Sequence, residues 1–303
     1  MRAQLCDALV ARADRPGMVF LTGDLGFMAL EPLRDRLGER FINCGIGEQN
    51  MIGVAAGLAR EGLEPWVYTI APFCYARAFE QIRNDICLHG LPVRLLGNGG
   101  GYGYGVMGPT HHALEDYGVL LTLPGMTAYV PAFDEDVAAV LDRAAAAAGP
   151  AYIRFGRGEL PAGTAPPAYA PWRRLAEGDG PVVVATGPLA GTLMAALTEL
   201  RFARPEVWVV SELPLTAVEP PPAFAASLAA SGRLCVIEEH VEQGGLGQML
   251  AIWALHAGIT LHAFRHQHAR GYPSGRYGSQ AFHRRESMLD ADSIRQAVLA
   301  LAP

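Results

Sequence analysis

The chain has 303 residues, half of them hydrophobic and 18% charged, with a formal charge of −6. That length suits two domains of ordinary size, and the composition can fill a buried core in each, which excludes a disordered chain. The 24 Lys and Arg residues form no cluster, which argues against a nucleic-acid or anionic-membrane surface.

Along the chain, short apolar runs at 18–21, 41–43, 65–70, 92–96, 126–130 and 151–154 read as strands. Helical patterns at 49–60, 75–88 and 134–148 lie between them. Asp134 is placed to cap the last helix and Gly149-Pro150 to stop it. Short apolar strands alternating with helices predict a parallel sheet covered on both faces. Residues 160–172, LPAGTAPPAYAPW, contain four Pro and neither Lys nor Arg, and read as an extended linker. The alternation then restarts, with strands at 181–186, 206–211, 234–238 and 259–264 and helices at 189–203, 223–230, 247–257 and 293–301. The expected fold class is therefore α/β, with two doubly wound domains at 1–160 and 181–303 and a Pro-rich linker at 161–180.

Five cysteines (Cys6, Cys44, Cys74, Cys87, Cys235) never adopt a CxxC spacing, so reduced, cytoplasmic thiols are expected rather than a disulfide framework or a thiolate zinc site. No apolar run approaches the ~20 residues of a membrane span. The first twenty residues mix Arg and Asp with apolar side chains, unlike a signal peptide.

Three segments carry chemistry. The first, Asn43-Cys44-Gly45-Ile46-Gly47-Glu48-Gln49-Asn50, puts an acid at a helix start. The helix dipole alone favours a carboxylate there, but a strand's C-terminal end is also where open α/β sheets bind ligands. In the second, Thr69-Ile70-Ala71-Pro72-Phe73-Cys74-Tyr75-Ala76-Arg77, an aromatic follows a strand at once. Phe73 is either core or a stacking platform for a planar ring. The third runs from Gly97 through a glycine-rich loop to Gly108-Pro109-Thr110-His111-His112. Its glycines permit close approach to a ligand. It lacks the helix and acid of a dinucleotide fingerprint. His111 is the better candidate to face a substrate, and His112 to be structural. Asp24, in GDLG after the first strand, either lines the same edge or caps the turn.

GIGEQN, TIAPFCYARAFEQIRN, GVMGPTHHALED, LPGMTAYVPAFDEDVAAVL and GPAYIRFGR occur in that order. The ordered set resembles the pyrimidine-binding domain of the transketolase family. It also looks like 1-deoxyxylulose-5-phosphate synthases and, more distantly, the β chains of 2-oxo acid dehydrogenase decarboxylases. The second half, with VIEEHVEQGGLG, resembles the C-terminal domain those proteins share. The resemblance implies thiamine diphosphate as coenzyme. Glu48 would be the glutamate that hydrogen-bonds a pyrimidine ring nitrogen, so that the coenzyme's own amino group can take a proton from the thiazolium carbon. Phe73 would pack on the pyrimidine, and Ile70, Asp24 and Leu25 would line the same cleft. His111 would exchange protons with an oxygen of the substrate.

The family also anchors the coenzyme's diphosphate through a divalent cation, using a Gly-Asp-Gly segment and a later Asn. Here Gly178-Asp179-Gly180 lies in the expected linker and no Asn follows Asn98. The resemblance thus implies a split enzyme. An N-terminal partner subunit would carry the diphosphate and Mg2+ or Ca2+, no metal would be held by this chain, and the assembly would be an α2β2 heterotetramer. Met107 stands where transketolases have an aspartate for a sugar hydroxyl, and Met28 and Gly99 where a serine and a histidine meet sugar phosphate. Arg157 and Arg77, and with them Arg2, match arginines that contact phosphate. The donor or acceptor is accordingly expected to be a non-standard small molecule or a carrier-bound acyl group. A 2-oxo acid dehydrogenase β chain and a non-catalytic structural subunit are the alternatives. His256, His262, His266 and His268 give no ligand geometry and read as polar surface or subunit contact. In Glu238-Glu239-His240 the following glycines are expected to set loop geometry, and 275–286 reads as a loop.

Overall fold

The computed structural model describes residues 1–158, 160–161, 163–197, 200 and 203–302. They divide into two compact units that interleave along the chain. The first comprises 1–100, 116–129 and 134–156; the second comprises 101–115, 130–133 and the residues from 157 onward.

In the first unit, strands β1 (Met18–Thr22), β2 (Phe41–Asn43), β3 (Glu64–Ile70), β4 (Arg94–Asn98), β5 (Thr127–Tyr129) and β6 (Ala151–Phe155) lie in the order β5-β6-β4-β3-β1-β2. Every pairing among them is parallel. All five residues of β1 and of β6 are buried, as expected for strands covered on both faces. The covering helices are α1 (Arg2–Arg12), α2 (Glu31–Leu37), α3 (Glu48–Arg60), α4 (Ala71–Tyr75), α5 (Phe79–Gln81), α6 (Asp116–Leu120) and α7 (Val137–Ala146). Helix α3 turns Met51, Ile52, Ala55, Ala56 and Ala59 inward, a spacing of three and four residues that gives one apolar stripe. Trp66, Phe20, Tyr152 and Phe155 fill the core.

The second unit holds β7 (Trp172–Ala176), β8 (Val182–Thr186), β9 (Glu206–Val210), a two-residue strand β10 (Glu212–Leu213), β11 (Arg233–Ile237) and β12 (Ala263–Gln267). Its sheet runs β12-β11-β8-β9-β7, parallel except for β7, which pairs antiparallel with β9 at one edge. Helices α8 (Leu189–Leu197), α9 (Pro222–Ser231), α10 (Leu246–His256), α11 (Gln280–Glu286) and α12 (Ala291–Leu299) complete it. Val183, Val207, Cys235 and Ile237 pack against Leu189, Leu193, Ile294 and Val298.

Several expectations need correction. Helices α1 and α2 carry weak apolar periodicity and are not expected from the sequence pattern. The expected helix at 75–88 is broken: α4 ends at Tyr75, α5 covers three residues, and Ile82–Cys87 continues as a π-helical turn. Residues 172–176, expected as linker, form strand β7, because an antiparallel edge strand needs only one paired side. The last strand begins at Ala263, not 259, and 280–286 is helical, with Ser279 Oγ accepting from the Phe282 amide. The expected helix at 189–203 extends onto residues 198, 199, 201 and 202, which lie outside the described residues, as do Glu159, Ala162 and Pro303. Among the described residues, no helix is long and apolar enough to cross a membrane.

Candidate functional site

Strand β1 sits between β2 and β3, and the chain runs first to β2 on one side and then to β3 on the other. The winding direction therefore reverses at β1, and the crevice beyond its carboxyl end is where an open sheet leaves room for a ligand. Thr22 is in register with Asn43 of β2 and with Tyr68 of β3, and β3 runs two residues further, to Ile70. Asn43 staples the loops that follow. Its Oδ1 accepts from the amides of Asp24 and Gly45, both at 3.0 Å, and its Nδ2 donates to Asp24 Oδ1 at 2.9 Å. Sequence reasoning missed Asn43; its position at a strand end before Gly45 was the available signal. Leu25 lines a cleft of about 330 Å3 with Phe27, Leu30 and Phe41 at this edge.

Glu48 opens α3 at the same edge and is only 1% exposed. Thr69 Oγ1, at the end of β3, lies 3.4 Å from its Oε1. Arg77 Nη1 donates to its Oε2 at 2.7 Å. The guanidinium carbon of Arg77 lies 4.1 Å from the centre of the Phe73 ring. Glu48, Phe73 and Arg77, three separately singled-out residues, thus meet in one place. Ile70 closes β3 beside Thr69, and is buried. Burial pushes the neighbouring Cys74 thiol up to about 12, so it stays protonated near Glu48. Met28 lies 92% exposed on the rim.

His111 and Met107 belong to the second unit, on the 3-10 turn Gly105–Thr110 and its C-terminal flank. Thr110 Oγ1 lies 2.8 Å from His111 Nδ1 and fixes the ring. Met107 is 53% exposed. The loop is held from below. Glu239 Oε1 accepts from the Tyr102 amide at 3.0 Å, and Glu239 is itself held by Arg284 Nη2 at 2.7 Å and by Gln280. Gly101, at φ +64°, lies so close that a Cβ there would sit 2.6 Å from Glu239 Cγ; only glycine fits both the angle and the gap.

The fully buried Tyr102 stacks on His283 and meets His112 edge-on, at ring distances of 5.0 and 5.3 Å. His112 Nε2 donates to the Gly105 carbonyl at 2.8 Å, so Nδ1 is the acceptor for the Tyr272 hydroxyl, also at 2.8 Å. Burial holds both His112 and His283 below the usual imidazole range. Unfolded histidine titrates near pH 6.5. The unfolded chain therefore binds more protons than the native one as pH drops past that value, and stability contributed by these neutral rings is lost toward their folded pKa values. Thermal unfolding followed from pH 8 to 5 should show a midpoint that falls below about pH 6.5, with a shallower fall in His283→Gln.

Other candidates resolve differently. Glu238 accepts from the Leu246 and Gly247 amides at 2.8 and 2.9 Å, capping α10, and from His266 Nε2 at 2.6 Å. His266 is therefore a buried strut rather than surface. A Cβ at Gly247 would strike its ring, so that glycine makes room for it. Arg157 opens onto a cleft of about 590 Å3 with Ser279, Arg284 and Arg285 in the second unit. Asp179 of Gly178-Asp179-Gly180 pairs with Arg204 at 3.0 Å. Among the described residues no group of three or more His, Cys, Asp or Glu side chains is placed to hold a metal ion.

The family model for the transketolase pyrimidine binding domain matches residues 7–163. This chain belongs to the transketolase family. It is 30% identical to an apulose-4-phosphate transketolase subunit of Phocaeicola vulgatus, over 82% of this chain and 81% of that one. Identity to the 1-deoxy-D-xylulose-5-phosphate synthase of Myxococcus xanthus is 35% over 90% of this chain but 46% of the synthase, so the chain spans about half of that relative. A solved split gene transketolase, an inactive beta4 tetramer, matches with a TM-score of 0.83 and 30% identity, over 100% of this chain and 98% of that one.

Transketolases use thiamine diphosphate. The donor set around Glu48 suits that coenzyme's aminopyrimidine: a buried carboxylate to hold a ring nitrogen, next to an aromatic face for a planar ring. A planar N–H donor already makes both contacts here, in the form of the Arg77 guanidinium.

Proposed function

We propose that this chain is the pyrimidine-binding, catalytic half of a two-chain thiamine-diphosphate-dependent transketolase that moves a two-carbon unit between small anionic substrates. The observation that carries the reading is the Glu48 carboxylate, buried beside Phe73 at the switch point of the first sheet. Thiamine diphosphate, when bound, supplies a carbon nucleophile. Glu48 holds the proton shared with the pyrimidine ring nitrogen, and its burial keeps water out of that hydrogen bond. Phe73 fixes the plane of the ring, and Ile70, Leu25 and Asp24 wall the pocket. His111, oriented by Thr110, carries a proton to and from a substrate oxygen. Arg157 and Arg77 offer charge to a substrate anion.

The partner subunit supplies the diphosphate grip and its Mg2+ or Ca2+, in an α2β2 assembly. The matching split-gene structure, an inactive tetramer of β chains, supports the need for that partner. Met107 offers an apolar wall where a sugar hydroxyl would be met, and an unpaired buried hydroxyl costs about 1–3 kcal/mol, or ~10–100-fold in discrimination. The preferred substrate is therefore a modified or less hydroxylated relative of the common ketose phosphates.

The chain should be co-expressed with its N-terminal partner subunit and assayed with thiamine diphosphate and Mg2+. The chain alone is expected to show no turnover and the pair robust turnover. Xylulose 5-phosphate should be used roughly 10–100-fold less well than the best donor. Full activity of the single chain would overturn the two-chain reading, and xylulose 5-phosphate as the best donor would overturn the substrate reading.

A further inference from the structure

The position of Arg77 has a consequence for how the coenzyme enters. Its guanidinium occupies both contacts the aminopyrimidine needs, the Glu48 carboxylate at 2.7 Å and the face of Phe73 at 4.1 Å. Two planar groups cannot stack on one face of one ring, and Glu48 Oε2 cannot take a second short charged partner without losing the first. Yet the side chain is 41% exposed, so its route out is open to solvent. It springs from the turn between α4 and α5, its amide bonded to the Pro72 carbonyl at 3.3 Å.

The physical reason for the arrangement is the cost of burying a carboxylate. Glu48, at 1% exposure, needs a cation or a proton while the site holds no ligand. A guanidinium is the side-chain group closest in shape to a planar, N–H-bearing heterocycle.

We propose that Arg77 is a displaceable plug. In the coenzyme-free chain it takes the place of the aminopyrimidine on Glu48 and Phe73, and loading requires its expulsion. The inference rests on the coenzyme reading above. Arg77 thereby lowers the apparent affinity by the fraction of molecules in which the site is open. It also keeps the unloaded site from standing as a bare buried charge. The displaced guanidinium is a positive charge delivered to the rim only when the coenzyme is in place.

The test uses the full chain and the reconstituted pair, with Arg77→Ala and Arg77→Lys. Without coenzyme, Arg77→Ala should unfold at lower temperature than wild type, and millimolar ethylguanidinium should restore the midpoint by filling the vacated place. In calorimetric titration of the pair with thiamine diphosphate and Mg2+, Arg77→Ala should bind about tenfold tighter than wild type, with Arg77→Lys between the two, since an ammonium pairs with Glu48 but does not stack. Ethylguanidinium should weaken binding in Arg77→Ala and leave wild type unchanged. Equal or weaker coenzyme binding in Arg77→Ala would overturn the plug while leaving the coenzyme site intact. A wild-type pair that binds no thiamine diphosphate would instead overturn the site itself, and the plug with it.

Discussion

Replacing Glu48 by glutamine is expected to lower turnover of the reconstituted enzyme about 100- to 10,000-fold, the range over which one positioned acid–base group acts. Glutamine keeps the length and one oxygen acceptor, so the Thr69 contact and the packing of α3 survive. What it lacks is a group that can share a proton with a ring nitrogen. The expected signature is a fall in kcat with a well-folded protein of unchanged unfolding midpoint in the coenzyme-loaded state. Steady-state kinetics and thermal unfolding on the same sample check it. Unchanged turnover would return the chain to the class of structural subunits, because folding alone does not ask for an acid at position 48.

The largest expected loss of stability comes from Glu239→Ala. Burial works against the charge of this carboxylate, but Arg284 and the amide of Tyr102 outweigh it and hold it below the usual carboxylate range. Removing one partner of such a buried pair costs about 3–5 kcal/mol, because the remaining charge is stranded. Arg284, 17% exposed, would be left without that carboxylate, and the Tyr102 amide without its acceptor. Denaturant unfolding should show the midpoint falling with the slope unchanged. The same substitution should loosen the loop that carries His111, so the variant's KM should rise even under conditions where it is fully folded. A stability loss below about 1 kcal/mol would mean that the pair is replaced by water at little cost.

The parts of the structure legible in the sequence were those encoded locally. Apolar runs bounded by Gly and Pro placed the strands of both sheets, β7 and the two-residue β10 excepted, to within a few residues, and the order of short motifs led to Glu48, Phe73 and Arg77. Arg77 itself shows where local reading stops. Ala76 and Ala78 are good helix formers, so the pattern continued as one helix, and nothing announced the break that lets a long side chain fold back onto a carboxylate 29 residues away. The hold on the glycine loop was hidden for the same reason. Tyr102 and Glu239 stand 137 residues apart, and only the fold brings them together. Strand β7 was missed because its arginines and bulged pairing mimic a polar linker. The expected grouping of His266 with surface histidines failed because its partner, Glu238, lies on a different segment 28 residues away.

The interleaving of the two units bears on how such a chain can be inherited. Segments 101–115 and 130–133 are contributed to the second unit before the chain finally enters it at residue 157. A break in the Pro-rich stretch would therefore not yield two self-sufficient polypeptides: the upstream fragment would keep a histidine-bearing loop severed from the carboxylate and aromatic rings that mould it. Gene fission and shuffling must accordingly transmit both units as a single indivisible cassette.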